Sequence, residues 1–334
     1  MRKGDVGLVL DVLRARIREA VESYCSEPEF RKVMLRALSR PGFALHPEAL
    51  CRAGVLTLQV YQTIAGPPDA AAIQAAVAVE LYMQAAYMFD KVADREVDPN
   101  QGQNTAEELA LAIALMACGA AAASQAVFLT EKGSPRLRSL LQLHICCLDA
   151  SAGQFLDASL EDRALATTQE ALQMTGLKAG SLGKLAAGFG ASMATDDLDI
   201  VKSCEDFGFN LFTYLQLIDD LRDACPKQGL PRDLMLHKKT VPLMFFRNSL
   251  PAENHACPKD GIMLPQIWAE ANVEVRQEFD ASGAGVFCAI LAETFLNQVK
   301  KNLDYLGHRV PKVGNLECFL GPLEVTPEEV AALP

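Results

Sequence analysis

The most informative stretch of this chain is Glu80-Leu81-Tyr82-Met83-Gln84-Ala85-Ala86-Tyr87-Met88-Phe89-Asp90-Lys91-Val92-Ala93-Asp94. It is apolar over most of its length and ends with two aspartates, Asp90 and Asp94, four positions apart. On a helix, side chains four positions apart lie one above the other on the same face. The stretch therefore predicts an apolar helix whose end presents two carboxylates on one face.

A second stretch has the same design, and it runs Phe207-Gly208-Phe209-Asn210-Leu211-Phe212-Thr213-Tyr214-Leu215-Gln216-Leu217-Ile218-Asp219-Asp220-Leu221-Arg222-Asp223. Like charges at this spacing destabilise an isolated helix by about 0.2–0.5 kcal/mol, and by more where water is scarce. Two such faces turned toward each other would form a cage of oxygen ligands that needs a positive partner. Carboxylates and water suit Mg²⁺, which binds through one or two carboxylates plus the phosphates of a substrate.

The composition excludes some classes of function. The chain has 334 residues, of which 50% are hydrophobic, and a net charge of -11, which argues against nucleic acid as a partner because phosphate binding needs a basic face. The sequence contains no signal-peptide pattern. The apolar run 109–123 is shorter than the roughly 20 residues of a membrane-spanning helix and predicts a buried core helix instead of a transmembrane segment. We expect a cytoplasmic protein.

The cysteines do not indicate a disulfide scaffold or a zinc site. There are ten of them, without a C-x-x-C pair, and two are adjacent at Cys146-Cys147. The sequence therefore predicts reduced thiols, mostly buried as small apolar side chains.

Helical periodicity dominates the chain and no convincing alternating strand is present, so we predict an all-α fold. The spacing Thr105 to Glu108 is that of a capping box, so a helix should begin there. The glycine pair at Gly188 and Gly190 indicates close helix packing more than a phosphate loop. Short connections between long helices predict one bundle-like domain. The predicted helices cover 5–25, 28–39, 47–64, 69–95, 105–131, 135–160, 164–192, 197–224, 239–248, 264–281 and 284–307.

Segment 225–242 interrupts the helical pattern after the second acidic stretch. It carries Pro226, Gly229 and Pro231, followed by the adjacent lysines Lys238 and Lys239. A loop that returns two lysines toward an acidic face could clamp a diphosphate. The alternative is a solvated surface loop.

These features together resemble the trans-prenyl diphosphate synthases, the polyprenyl synthetase family of all-α isoprenoid synthases, over roughly residues 28–250. Five pieces match in order. They are Glu80–Asp94 for the helix of the first aspartate-rich motif, Gly153-Gln154 with Asp157 for the central Gly-Gln helix, Lys178-Ala179-Gly180-Ser181-Leu182 for the Lys-Thr-Gly-Ala-Leu signature, Gln216 with Asp219-Asp220-Leu221-Arg222-Asp223 for the second aspartate-rich motif, and Asp233-Leu234, Lys238, Thr240 and Pro242 for the segment after it.

The resemblance implies a single isoprenoid synthase domain over the whole chain, a helical bundle around a central active-site cavity, with 311–334 as a tail and with a homodimer as the assembly. It implies an allylic prenyl diphosphate of C15 or C20 held by Mg²⁺, which neutralises the leaving diphosphate so that an allylic cation forms. Asp90, Asp94 and Asp219 would be direct metal ligands, supported by Asp220 and Asp223. Lys178 and Lys238 would add positive charge at the diphosphate.

The resemblance also implies further substrate contacts. The residues that precede the first aspartate by four and five positions set how far the prenyl tail extends, and here they are the small Ala86 and Ala85. The remaining expected contacts are Tyr82, Tyr87, Lys91, Phe212, Gln216 and Lys239. An aromatic ring can stabilise a cation, although a buried ring is more often part of the core.

Two departures from the family pattern bear on the reaction. Lys91 stands where the first motif normally has aspartate, although position i+1 points about 100° away from the face shared by Asp90 and Asp94. Chain-elongating members also hold isopentenyl diphosphate with a Gly-Gly-Lys-Arg-x-Arg-Pro segment, where this chain has Pro41-Gly42-Phe43-Ala44-Leu45-His46-Pro47, and with an Arg-Arg pair that is missing after Asp94. Each lost charged hydrogen bond would cost about 1.5–3 kcal/mol of interaction with a second diphosphate.

These departures predict an enzyme that ionises an allylic prenyl diphosphate and lets the cation cyclise or be quenched, like a terpene synthase. Against this hypothesis, the chain lacks the Asn-x-x-x-Ser-x-x-x-Glu motif of the usual bacterial cyclases. The alternative is a prenyltransferase, either elongating through a rebuilt pocket or passing the prenyl group to an acceptor without a diphosphate. A third hypothesis is a non-catalytic subunit that regulates an active synthase.

Overall fold

A computed structural model describes residues 3–97, 103–130, 133–161, 163, 166–224, 233, 238–249 and 272–319. Within these ranges all regular structure is helical, which confirms the predicted all-α fold. The helices are α1 (Lys3–Tyr24), α2 (Pro28–Leu38), α3 (Arg52–Ala65), α4 (Ala70–Ala93), α5 (Thr105–Phe128), α6 (Gly133–Glu161), α7 (Thr168–Thr175), a π-helical turn (Gly176–Gly180), α8 (Ser181–Ala194), α9 (Leu198–Ala224), α10 (Val241–Ser249), α11 (Asn272–Ser282) and α12 (Ala284–Gly307), followed by the 3₁₀ turns Val313–Asn315 and Glu317–Phe319.

The chain divides into two compact units. The first comprises Met1–Cys147, Leu182–Gly208 and Lys301–Leu320, and the second comprises Leu148–Ser181, Phe209–Lys300 and Gly321–Pro334. The prediction of a single synthase domain stays a prediction. So does the predicted tail, most of which lies outside the described residues.

Helix α4 is the centre of the first unit. It packs against α1, α3 and α5, and most of its residues are buried, as expected for a helix that is apolar on all sides. Gly119 of α5 allows a close approach to α4, because a Cβ atom there would lie 3.0 Å from the Tyr82 ring. The first acidic stretch therefore starts from a rigid, buried helix.

The amino terminus of α3 is capped by a side chain from α4. Its N-cap residue Cys51 has φ of 45°, and its side chain makes no capping hydrogen bond to the first turn of the helix. Instead the Gly54 N–H donates to Glu80 Oε2 at 2.9 Å, and Gln84 Nε2 donates to Glu80 Oε1 at 2.7 Å. Burial raises the pKa of the Glu80 carboxyl. A carboxylate at a helix amino terminus is favoured by the helix dipole, so Glu80 joins α4 to α3.

The predicted helix 47–64 starts later than expected, at Arg52. Before it, residues 39–50 form a series of turns that are tied down from both sides. Arg14 donates to the Pro47 and Ala49 carbonyls at 2.8 Å and 2.6 Å, and the Ala44 N–H donates to Gln84 Oε1 at 3.0 Å. These nonlocal bonds override the helical periodicity of the sequence.

The predicted helix 164–192 is three elements, so the prediction of one continuous helix was wrong. A capping box between Thr167 and Glu170 begins α7, and the π-helical turn Gly176–Gly180 separates α7 from α8. The sequence carries the signal for that capping box, because Thr167 and Glu170 are three positions apart. At α5 the N-cap residue is Asn104, one position before the predicted Thr105, and Glu108 instead forms an ion pair with Arg40 at 2.7 Å.

Three smaller predictions, on the cysteines, the glycine pair and the apolar run, can be compared with the structure. None of the eight described cysteines is in a disulfide and five are buried, which confirms the expected thiols for that part of the chain. Gly190 is a close-packing position, since a Cβ atom there would lie 2.4 Å from the Thr57 carbonyl oxygen. One helix in the described ranges, α5, is long and apolar enough to cross a membrane, and half of its apolar window is buried within the molecule.

Candidate active site

The first acidic pair lies at the carboxyl end of α4. Asp90 is in the last turn, Asp94 is the C-cap residue, and carboxylate oxygens of the two lie within 4.8 Å of each other. The Glu96 N–H donates to the Lys91 carbonyl and the Arg95 N–H to the Val92 carbonyl, which is the Schellman pattern. Arg95 has φ of 58°, in the position where glycine is usual. The first unit thus brings the two predicted carboxylates together, both half-buried.

Lys91 turns toward the loop that precedes α3. Its Nζ lies 5.1 Å from the centroid of the Phe43 ring, and the Arg40 guanidinium carbon lies 5.7 Å from the same centroid. Phe43 is only 2% exposed. The two departures from the family pattern, Lys91 and Phe43, are therefore in contact through a cation–π interaction.

The three aspartates of the second acidic stretch differ in burial. Asp219 and Asp223 are exposed, whereas Asp220 is buried. Gln216 Nε2 donates to Asp220 Oδ1 at 2.8 Å, and Asp220 Oδ2 has no hydrogen-bond partner among the described residues. Burial is the main cause that raises the pKa of Asp220 to about 8. A buried carboxyl oxygen without a donor is a position that a cation can satisfy.

Two of the predicted lysines meet at one buried carboxylate of the second unit. Lys178 Nζ lies 2.7 Å and Lys238 Nζ 3.0 Å from the same oxygen, Oδ2 of Asp157. Lys238 also contacts Glu161 Oε1 at 2.9 Å. Burial raises the pKa of Asp157, but the two lysines outweigh this effect and hold the pKa below its usual value. This cluster of Lys178, Lys238 and Asp157 therefore places charged side chains in the interior of the second unit.

The π-helical turn that carries Lys178 is wedged between α6 and α9. A Cβ atom at Gly153 of α6 would lie 2.3 Å from the Lys178 backbone nitrogen. On the other side, a Cβ atom at Gly180 would lie 2.6 Å from Thr213 Oγ1 and 2.7 Å from the Phe209 ring. Gly153 thus lets two backbones approach closely, and Gly180 makes room for the side chains of Thr213 and Phe209. Single π turns in helices are frequent at functional sites.

Some residues of this site were missed by sequence reasoning. The family pattern includes Gln154 and Asp157 without indicating a role for either, and Glu161 lies outside that pattern. Their spacing held the signal, because positions 154, 157 and 161 recur at three and four residues and lie along one face of a helix. The Gln154 side-chain nitrogen is buried without a hydrogen-bond acceptor among the described residues.

The other predicted site residues have varied surroundings. Lys238 and Lys239 are both 8% exposed, so the alternative of a solvated loop was wrong for them. Tyr82 is 5% exposed against α5, Ala85 is buried, and Ala86 and Phe212 are half-buried. Tyr87 is 46% exposed. Residues 225–232 and 234–237 of the segment before the lysines lie outside the described residues.

Comparisons with known proteins agree with one another. A family model described as Polyprenyl synthetase matches residues 50–259. The chain is 26% identical over 244 residues to the geranylfarnesyl diphosphate synthase of Natronomonas pharaonis, covering 70% of this chain and 69% of that protein. It is 24% identical over 244 residues to the geranylgeranyl pyrophosphate synthase of Geoglobus acetivorans, covering 70% and 74%.

Solved structures with similar folds carry related names. The decaprenyl diphosphate synthase of Rhodobacter capsulatus superposes with a TM-score of 0.79 at 17% identity, covering 99% of this chain and 98% of that chain. The geranylgeranyl pyrophosphate synthetase of Pyrococcus horikoshii superposes with a TM-score of 0.77 at 17% identity, covering 97% and 98%. At these identities the likeness establishes the all-α fold.

Proposed function

The chain belongs to the polyprenyl synthetase family, and from that premise we propose that it is a prenyltransferase acting on an allylic prenyl diphosphate. The relatives described above are named as synthases of prenyl diphosphates. Their names favour transfer of the prenyl group over the cyclisation that the sequence alone placed first. Elongation with isopentenyl diphosphate is the form of transfer that these names support.

The observation that carries the proposal is the pair of lysines at Asp157. Two ammonium groups lie within 3.0 Å of one buried oxygen, so both cations are held in position before a ligand binds. Lys178 also acts electrostatically on Asp220, whose pKa it lowers against the effect of burial. Positive charge fixed beside the second acidic stretch suits the departure of a diphosphate, because fixed charges stabilise developing negative charge without reorganising.

Mg²⁺ is the metal that the donor set fits. Asp90 and Asp94 are proposed ligands in the first unit, and Asp219, Asp220 and Asp223 in the second. The Asp220 oxygen without a donor and the close pair Asp90 and Asp94 support this, since hard oxygen ligands suit Mg²⁺. When bound, Mg²⁺ would neutralise charge on the diphosphate oxygens.

Side chains of the protein would bind the diphosphate and accommodate the prenyl tail. Lys178 and Lys238 would bind the leaving diphosphate, with Gln216 orienting Asp220 through its 2.8 Å hydrogen bond. The small Ala85 and Ala86 on α4 would leave room for a C15 or C20 tail near the buried Tyr82. We propose a cytoplasmic homodimer as the working form.

The test is incubation of the pure protein with Mg²⁺ and C10, C15 or C20 allylic diphosphates, with and without isopentenyl diphosphate. A longer prenyl diphosphate formed only with isopentenyl diphosphate is the expected result. Hydrocarbon or alcohol formed from one substrate would instead reinstate cyclisation or quenching. No diphosphate release under any condition would favour the non-catalytic regulatory subunit.

The metal ligands have their own test. Asp90→Ala and Asp219→Ala should each abolish diphosphate release, because each removes a proposed Mg²⁺ ligand. Exposed Asp199→Ala on α9 is the matched control and should keep activity. Full activity of both test variants would contradict the metal sites.

A second candidate, transfer to an acceptor without a diphosphate, is favoured by one observation. Phe43 stands where elongating relatives carry a loop lysine, and it is buried, with 2% of its surface exposed. An apolar side chain at that position offers no charge to a second diphosphate. Product formation with isopentenyl diphosphate would exclude this candidate, whereas prenylation of an added nucleophile in its place would support it.

A further inference from the structure

Asp157 accepts hydrogen bonds from both of the lysines that are proposed to bind the diphosphate. A single oxygen, Oδ2, accepts from Lys178 at 2.7 Å and from Lys238 at 3.0 Å. The side chains of Asp157 and Lys238 are 4% and 7% exposed, and that of Lys178 is 24% exposed. Buried ammonium groups need an anionic partner, because desolvating an unpaired charge is strongly unfavourable. Asp157 supplies that partner within the chain.

This arrangement is fixed by the backbone and not by side-chain reach alone. Gly153 lies one helical turn before Asp157 and admits the Lys178 backbone at a distance that any side chain would block. Lys238 is held from the same helix by a second carboxylate, Glu161, at 2.9 Å. The lysines are therefore in place before a substrate arrives, and Asp157 is an anion that both of them contact.

A second observation indicates that this face of α6 takes a further anion. Gln154, three residues before Asp157, has a buried side-chain nitrogen with no acceptor among the described residues. A buried donor without an acceptor is rare and is satisfied by a ligand or a water. A phosphate oxygen offers such an acceptor, since it accepts readily from N–H groups. The same face thus combines two lysines with an unused donor.

We propose that Asp157 is an internal counter-anion, which occupies Lys178 and Lys238 when the site is empty and competes with diphosphate for them. The inference rests on the proposed function and concerns its regulation. A protein whose binding-competent state is only partly populated binds its ligand more weakly by that fraction. Asp157 would therefore weaken diphosphate binding and speed product release. Asp157 is on this view a positioning residue that acts through the lysines.

The experiment measures inorganic pyrophosphate binding by calorimetry, with Mg²⁺ and separately with a chelator. Asp157→Asn keeps the shape of the side chain and removes its charge, so pyrophosphate should bind about tenfold more tightly under both conditions. Glu161→Gln removes one of the two anions at Lys238 and should tighten binding by a smaller factor. Glu293→Gln, an exposed carboxyl on α12, changes the net charge equally and should leave the affinity unchanged.

A second comparison distinguishes competition between Asp157 and diphosphate for the lysines from a purely structural role of Asp157. In a Lys178→Gln/Lys238→Gln background, adding Asp157→Asn should no longer tighten binding, because the lysines through which it acts are gone. Unchanged or weaker binding in Asp157→Asn alone would overturn the proposal. Weakening only with Mg²⁺ would identify Asp157 as a metal ligand instead, which also overturns it. Asp157→Glu keeps the charge and should bind pyrophosphate like the parent protein.

Two controls keep the outcome clear. If Asp157→Asn does not fold, as judged by thermal melting, the graded tightening expected for Glu161→Gln decides the question, and its absence overturns the proposal. Pyrophosphate binding requires no prenyl transfer. Tighter pyrophosphate binding in Asp157→Asn, together with no prenyl transfer by the parent protein, would contradict the proposed function. It would still support the proposal that Asp157 is an internal counter-anion.

Discussion

Asp220 has two properties that the other carboxyls of its stretch do not combine. It is buried, with 4% of its surface exposed, and one of its oxygens has no donor among the described residues. Burial raises its pKa to about 8, so the metal-free protein carries it mostly protonated at pH 7. A carboxyl must lose its proton to bind a metal, so metal binding here is linked to proton release.

We therefore predict that Mg²⁺ binding at pH 7 releases about one proton. Calorimetric titrations of Mg²⁺ in buffers of different ionisation enthalpy measure this release. The release should be much smaller at pH 9, where Asp220 is already ionised, and should disappear in Asp220→Asn. Equal release in Asp220→Asn would mean that another group supplies the proton.

The same carboxyl affects stability in a defined direction. Between pH 3.8 and about 8 the native state binds the proton of Asp220 more tightly than the unfolded state does. The free energy of unfolding of the metal-free protein therefore falls as pH rises through this window. Asp220→Asn should flatten that decline in thermal melts recorded across the window.

Lys91 is the other residue whose environment differs from the sequence expectation. Its charge lies over the buried Phe43 ring, 5.1 Å from the centroid, so the contact holds the end of α4 to the loop before α3. We predict that Lys91→Ala lowers the free energy of unfolding by about 0.5–1 kcal/mol and reduces diphosphate release without abolishing it. Chemical denaturation and a diphosphate-release assay measure the two effects.

Phe43→Leu provides the matched test of that contact. If the interaction is between the two side chains, the losses of stability in Lys91→Ala and Phe43→Leu should not add in the double variant. Additive losses would show that Lys91 acts elsewhere. Lys91→Arg keeps the positive charge and should behave like the parent protein.

At the level of elements, the π-helical turn depends on Gly153. Alanine there would place Cβ 2.3 Å from the Lys178 nitrogen and 2.6 Å from its Cα, and both atoms are backbone. We predict that Gly153→Ala lowers the free energy of unfolding by about 1–3 kcal/mol through overpacking and moves Lys178 from its partner. Thermal melting and the pyrophosphate affinity measure these changes.

Gly285→Ala on α12 is the matched control. A Cβ atom there meets only Leu221 Cδ1, at 3.9 Å, an ordinary contact. Because alanine loses less conformational entropy than glycine in a helix, this variant should be neutral or up to about 1 kcal/mol more stable. A loss of stability at Gly285 as large as that at Gly153 would contradict the steric explanation.

The sequence predicted the helices better than the positions at which they begin or break. Apolar periodicity located α4 and α9 and the acidic ends that they carry, since that pattern depends on local spacing. The start of α3 and the break inside 164–192 depend instead on distant partners, Arg14 and Gln84 in one case and Gly153 in the other. Local spacing contains no information on those contacts, so the start of α3 and the π-helical turn could not be predicted, whereas the capping box that begins α7 is visible in the sequence.

The candidate site shows the same division. Asp90 and Asp94 were predicted to share a face from spacing alone, and their carboxylates are close together. Asp220 is buried beside the exposed Asp219 because of which side of α9 is packed, and the acidic pattern of the sequence does not show which side that is. The shared role of Lys178 and Lys238 at Asp157 joins residues up to 81 positions apart, beyond the reach of a local pattern.

For the whole molecule, exposed apolar side chains on two helices of the first unit support the proposed homodimer. On α6, Leu137 and Leu141 are 61% and 62% exposed, and Ile145 follows four positions later on the same face. On α5, Ile113 is 62% exposed. Exposed apolar side chains grouped on one helix face are typical of protein interfaces.

We predict that the protein sediments as a dimer and that Leu141→Lys shifts it toward monomer, since a charge in an apolar interface is unfavourable. Analytical ultracentrifugation over a range of concentrations measures the shift. Leu198→Lys is the control, because Leu198 is 56% exposed at the start of α9 and not part of that face. A monomeric parent protein would contradict the proposed assembly.

The cap that Glu80 places on α3 also sets the order in which the chain can assemble. Helix α3 has 14 residues, close to the length at which an isolated helix is only marginally stable in water. Its amino-terminal partner Glu80 comes 26 positions after Gly54, so during synthesis it emerges on the order of seconds later. Helix α3 therefore becomes stable only as α4 joins it, and this part of the nascent chain matures as a helical pair.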